Sequence, residues 1–135
     1  MNNHTKILSI HSNKKELVKV ELFLRQFFYQ KKLPAVLFNK VLLVVSEAVN
    51  NSIEHGNKFD TAKKVTIKLS CLRESLFITV SDEGNGFNYS RVANPIAIEN
   101  RKKEYGRGIY IMKTVSNNIN FLNKGKCVEI KINLV

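Results

Sequence analysis

The run from Ala35 to His55 constrains this chain more than any other segment. Val36, Leu37, Val41, Leu42, Val44, Val45, Ala48, Val49 and Ile53 place apolar side chains nearly all round the helix it predicts. A helix of that kind is buried at the centre of its fold. One polar stripe interrupts it: Glu47, Asn51 and His55 follow at i, i+4 and i+8 and share a face. A carboxylate buried without a partner is strongly unfavourable, so the stripe faces either water or something that satisfies it. In the second case Asn51 offers the neutral oxygen that Mg²⁺ accepts when phosphates and water supply its other ligands. Glu47, one turn earlier, is placed to order or deprotonate a nucleophile beside that metal. Asn50 lies about 100° away around the helix and belongs to another face.

The flanking segments predict what surrounds this helix. Lys6 to Ile10 alternates like a strand, and Ser12 is read as the cap of a helix from Lys14 to about Gln30, with Leu17, Val20, Leu24, Phe27 and Phe28 on one stripe. Lys31 to Pro34 breaks it. After the central helix, Gly56 is read as a left-handed stop. Val65 to Leu72 and Leu76 to Asp82 alternate as a hairpin around Arg73, Glu74 and Ser75. A polar stretch from Gly84 to Glu104 follows, then a short helix from about Arg107 to Val115. Ile119 to Leu122 and Cys127 to Leu134 form a last hairpin across Asn123 to Lys126. This order predicts an α+β fold, a two-layer sandwich with helices on one face of a mostly antiparallel sheet. With 135 residues and no linker or repeat, residues 1–135 are expected to form a single domain.

Composition excludes several classes. At 44% hydrophobic residues the chain has material for a core, which argues against disorder. The longest unbroken apolar run, Val41 to Val45, falls short of the roughly 20 residues of a membrane span, and Met1 to Ile10 shows no secretory signal. Cys71 and Cys127 form no CxxC pair and have no His nearby, so the expectation is two buried free thiols in a cytoplasmic protein. The net charge of +11 invites an acidic partner or nucleic acid. Lys outnumbers Arg 17 to 5 and Asn occurs 16 times, however, which a drift toward A/T-rich codons also produces. No aromatic-basic interleaving or recognition-helix pattern supports direct nucleic-acid binding.

Two glycine clusters carry the remaining signal. In Asp82-Glu83-Gly84-Asn85-Gly86-Phe87 an Asp closes a strand before a Gly-x-Gly turn, which permits positive φ and close approach of backbone to a ligand. Gly106-Arg107-Gly108-Ile109 precedes or opens a helix, where free N–H groups and the dipole suit a phosphate. Neither fits a P-loop or a dinucleotide fingerprint, and each alone is an ordinary turn.

Taken in order, Ser46 to Gly56, Asp82 to Phe87 and Gly106 to Ile111 resemble the N, G1 and G2 boxes of the GHKL (Bergerat-fold) ATPases, which include gyrase B, MutL and the sensor histidine kinases. Ser46 to Gly56 and Gly106 to Met112 are most similar to the anti-sigma-factor serine/threonine kinases of bacterial partner-switching systems. The resemblance runs from about Thr5 to Leu134. It implies ATP and Mg²⁺ as cofactors, Glu47 as general base, Asn51 as Mg²⁺ ligand and Asp82 as acceptor for the adenine amino group. It further implies that Gly84 and Gly86 flank base and ribose, that Phe87 is also a nucleotide-binding residue, and that Gly106, Arg107, Gly108 and Ile109 cradle the phosphates. Asn88 to Tyr105 would then be a lid carrying Arg91, Arg101, Lys102 and Lys103, with His55 near the nucleotide. The implied activity is phosphorylation of an anti-anti-sigma (STAS-domain) partner together with sequestration of a sigma factor or other regulator, by a cytoplasmic homodimer that binds neither nucleic acid nor membrane. A catalytically silent, nucleotide-gated binding module is the alternative. Many relatives hold adenine with a Thr near the last strand, and Cys127 is its expected counterpart, a weaker hydrogen-bond donor.

Overall fold

The computed structural model describes residues 5–85 and 104–135. The chain runs β1 (Lys6–His11), α1 (Leu17–Lys31), α2 (Phe38–Asn51), β2 (Lys64–Leu72), β3 (Ser75–Ser81), α3 (Glu104–Val115), β4 (Asn118–Leu122) and β5 (Cys127–Asn133). Five strands pair in the order β1-β2-β3-β5-β4, each pairing antiparallel. The fold is therefore the α+β sandwich that the sequence predicts.

Period-two alternation sorts the sheet's two faces. Ile10, Val65, Ile67, Leu69, Leu76, Ile78, Val80, Val128, Ile130 and Ile132 point to the helices and are buried. Each such aliphatic side chain contributes about 1.5–3 kcal/mol on leaving water. Val41, Val44, Val45, Ala48 and Val49 cover them from α2, Ile53 from the turn that follows it, and Val20, Leu24 and Phe27 from α1. Phe28 and Phe38 meet edge to face, with ring centroids 5.2 Å apart, where α1 and α2 adjoin. By length and apolar composition alone, Ala35–Gly56 could cross a membrane. Here its buried apolar side chains, from Val41 to Ile53, pack against the sheet and α3 instead.

Several local expectations are corrected. Asn13, not Ser12, caps the turn before α1, its side chain accepting from the Lys15 amide at 2.9 Å. Ser12 is buried and donates to the Lys63 carbonyl at 2.7 Å. The central helix is not uniform: a 3₁₀ turn (Ala35–Leu37) leads into α2, and a π-helical turn (Ser52–Gly56) continues it. Gly56 therefore does not end the helix in a left-handed conformation; Lys58 and Phe59, at φ 52° and 61°, take that role. The expected short helix begins at Glu104 rather than Arg107, so Glu104 and Tyr105 belong to α3 and not to a lid. Cys71 and Cys127 are free but half-buried.

Candidate functional site

The polar stripe lies on the C-terminal half of α2. Glu47 and Asn51 sit one regular turn apart, and Asn51 is only 8% exposed. His55 falls in the π-helical turn, where the Asn57 amide reaches the Ser52 carbonyl five residues back at 2.7 Å. The wider turn moves His55 away from the position that 3.6-residue winding gives it, and such turns are frequent at functional sites.

Glycines allow three segments to converge there. A Cβ on Gly108 would stand 3.3 Å from Glu47 Oε1 and 3.6 Å from Asn51 Oδ1, so α3 passes directly over the stripe. A Cβ on Gly56 would collide with the Asp82 carboxyl group, and one on Gly84 with the Gly56 carbonyl. The turn after β3 thus rests on the end of the central helix, and close approach rather than positive φ requires these glycines. Ile109 and Met112 fasten α3 in the core at 0% and 1% exposure. The Ile109 side chain is accordingly part of the packing. In the described helix the amide of Gly106 belongs to the first turn, which lacks intrahelical partners, while those of Gly108 and Ile109 reach back to residues 104 and 105.

Asp82 is the most unusual group. Its Oδ1 accepts from the Gly84 amide at 2.9 Å, whereas its Oδ2 is buried without a partner. Burial pushes its pKa above the ordinary carboxylate value, opposed by the Gly84 amide, the Ser52 hydroxyl and the charges of Lys126 and Lys63. Among the described residues, Asn51 Nδ2, Asn50 Oδ1 and Ser116 Oγ are likewise buried and unpaired. Behind Asn51 and Ser52, the walls formed by Val80, Met112, Phe121 and Gly125 leave a gap of about 10 Å³, barely one water. A far larger cleft lies at the other end of α2 and touches none of these residues. No group of three or more His, Cys, Asp or Glu could hold a metal among the described residues. Any Mg²⁺ here depends on Asn51 together with ligand and water oxygens.

Asn57 was not legible as important. It is 2% exposed; its Nδ2 donates to Ser12 Oγ at 2.7 Å and to the Lys64 carbonyl at 3.1 Å, and its Oδ1 accepts from the Glu83 amide at 2.9 Å. One side chain thereby joins the segment before α1, the start of β2 and the turn after β3. Lys14 adds an ion pair to Glu54 in the π-helical turn at 2.6 Å. Cys127 takes no place in the site. It pairs with Ser81 across the sheet and alternates with Val128, so its thiol shares the outer face with Glu129 and Lys131, away from the helices. Burial and the neighbouring Glu129 raise its pKa. The Asp82 charge also raises that pKa, so the thiol lies within electrostatic reach of Asp82. Gly86, Phe87 and residues 88–103 of the expected lid, including Arg91, Arg101, Lys102 and Lys103, lie outside the described residues.

Comparison with known proteins agrees with this arrangement. The chain is 28% identical over 87 residues to the serine-protein kinase RsbW of Bacillus subtilis (strain 168), a match covering 60% of this chain and 54% of that protein. It is 34% identical over 92 residues to the anti-sigma F factor of Clostridium perfringens (strain SM101 / Type A), covering 64% and 66%. The matched stretch thus spans between half and two-thirds of these curated relatives. A crystal structure of the RsbU and RsbW domains of a Mycobacterium tuberculosis protein superposes with a TM-score of 0.65 at 11% identity, over 96% of this chain and 32% of the other, and shares its fold. The sequence profile described as the histidine kinase-like ATPase domain matches residues 10–132, and the chain belongs to that family.

Proposed function

We propose that residues 1–135 form a single ATP-binding domain that acts as an anti-sigma regulatory factor with serine/threonine protein kinase activity. It would work in the cytoplasm as a homodimer, phosphorylating an anti-anti-sigma (STAS-domain) partner and sequestering a sigma factor or other regulator. The observation that carries this reading is the packing of Gly108 against Glu47 and Asn51, which sets a glycine-bearing helix start over a carboxylate and a carboxamide. The names of the relatives, a serine-protein kinase and an anti-sigma F factor, point the same way.

The residues present fit ATP and Mg²⁺. The orphaned Asp82 Oδ2 is a buried acceptor suited to an exocyclic amine such as that of adenine. Gly84 keeps that turn close to Gly56. Asn51 would hold the Mg²⁺ through its side-chain oxygen, and the Gly106 amide, with the positive end of the α3 dipole, would receive the phosphates beside Arg107, Gly108 and Ile109. When bound, ATP with Mg²⁺ supplies the γ-phosphoryl group. Glu47 takes the proton from the partner's Ser or Thr hydroxyl, a contribution of about 10²–10⁴-fold for a positioned base.

The test is transfer of label from γ-labelled ATP to a cognate STAS-domain protein. Wild type transfers label, and Glu47→Ala lowers the rate by about 100-fold or more at unchanged nucleotide affinity. Equal transfer by Glu47→Ala removes the general-base role. Nucleotide binding with no transfer to any candidate leaves the silent, nucleotide-gated binder.

A further inference from the structure

At the amino-terminal end of α2, the turn of the α1–α2 hairpin opens a cleft of about 770 Å³. Phe28, Leu33 and Phe38 supply its apolar surface, and Tyr29, 86% exposed, stands beside them. Arg25 and Lys32 are its charged lining residues, and no acid lines it. Arg25 lies over the Phe38 ring at 4.6 Å and is already paired with Glu21 at 2.7 Å. Lys32, in the left-handed conformation that ends α1, is exposed. A second groove of about 360 Å³ lies on the other side of the Pro34–Leu37 turn, lined by Leu37, Leu134, Val135 and Lys40 and again by no acidic side chain. Val36, 87% exposed, stands at the second groove's edge on the turn between them.

We propose that this end of the molecule docks a segment of a protein partner that is both apolar and acidic. One apolar anchor enters each groove across the Val36 ridge, and carboxylates face Lys32 and Lys40. The absence of acidic side chains from both linings sets the sign of the partner's charge. Two grooves that together exceed the usual 300–1,000 Å³ of a small-ligand site favour a peptide with two anchors over a single small amphiphile. Along α2, Phe38 at this surface lies about 14 Å from Glu47 and about 20 Å from Asn51. A partner held here leaves that stripe uncovered.

Panning a phage-displayed random-peptide library against the full chain, with a Val36→Glu chain as counter-selection, tests the proposal. The expected winners carry net negative charge and two apolar residues at helical spacing. A synthetic winner should shift the backbone NMR signals of Leu33, Val36 and Lys40 and bind roughly tenfold more weakly to Lys32→Glu/Lys40→Glu. Its affinity should change less than twofold when ATP and Mg²⁺ are added. No enrichment over the Val36→Glu chain, enrichment of basic peptides, or shifts centred elsewhere overturns the proposal. Two further outcomes replace the occupant and also overturn it. One is a wild-type dimer in sedimentation that Val36→Glu converts to monomer; the other is charge-dependent binding to phosphatidylglycerol vesicles that Lys32→Glu/Lys40→Glu abolishes.

Discussion

Two amide side chains six residues apart, both buried, have opposite fates. Asn57 makes three hydrogen bonds to three different segments, and none of the groups it bonds is a proposed ligand or catalytic group. Asn51 leaves its Nδ2 unpaired beside Glu47 and under the backbone of Gly108. Asp82 repeats the contrast within a single carboxylate, one oxygen bonded to the Gly84 amide and the other bare. Folding satisfies buried polar groups wherever they serve only the fold. Of the bare ones, Asn51 Nδ2 and Asp82 Oδ2 belong to the convergent site, and mutation should separate these two from Asn57.

The largest effect on stability should come from Asn57→Ala, which deprives the Glu83 amide and the Lys64 carbonyl of a partner at once. A loss of about 3 kcal/mol is expected, read as a fall in Tm of roughly 10 °C. If Asn57→Ala melts like wild type, the scaffold half of the comparison fails. Gly56→Ala comes next, because its methyl group enters the space of the Asp82 carboxyl; overpacking of this kind costs about 1–3 kcal/mol and should reduce nucleotide affinity as measured by titration calorimetry. Asp82→Asn should have the opposite sign. Burial raises the folded pKa of Asp82, so ionising it opposes folding at neutral pH, and that penalty vanishes once pH falls below the ordinary value of 3.8. Thermal melts should show Asp82→Asn more stable than wild type at pH 7, with the gap closing on acidification, while nucleotide binding is lost. Asn51→Ala should change stability least, within about 1 kcal/mol, yet abolish label transfer. Should it unfold the protein instead, its unpaired amide is not a reserved one.

The buried helix, the hairpins and the stripe of Glu47 and Asn51 were legible because hydrophobic periodicity reports burial directly. What escaped was set by contacts distant in sequence. The π-helical turn at Ser52–Gly56 has no signature in residues such as Ile53 or His55. Gly56 is glycine because Asp82 arrives from 26 positions further along, and its helix-stop reading followed from local rules that tertiary packing overrode. Asn57 could have been suspected only from its place directly after a glycine in a buried run. Cys127 was expected to stand where many relatives carry a Thr near the last strand, whereas strand alternation decides which face a residue occupies, and one position of phase separates the thiol from the helix side.

The central helix is at once the core of the domain and the bearer of Glu47 and Asn51. Ala48, Val49 and Ile53, at 0–1% exposure, lie between and beside them in sequence. Amides in this stretch should exchange their hydrogens with solvent among the slowest in the chain, since the helix is buried against the sheet. Activity and fold should therefore be lost at the same denaturant concentration, leaving no window in which a native-like but inactive protein accumulates.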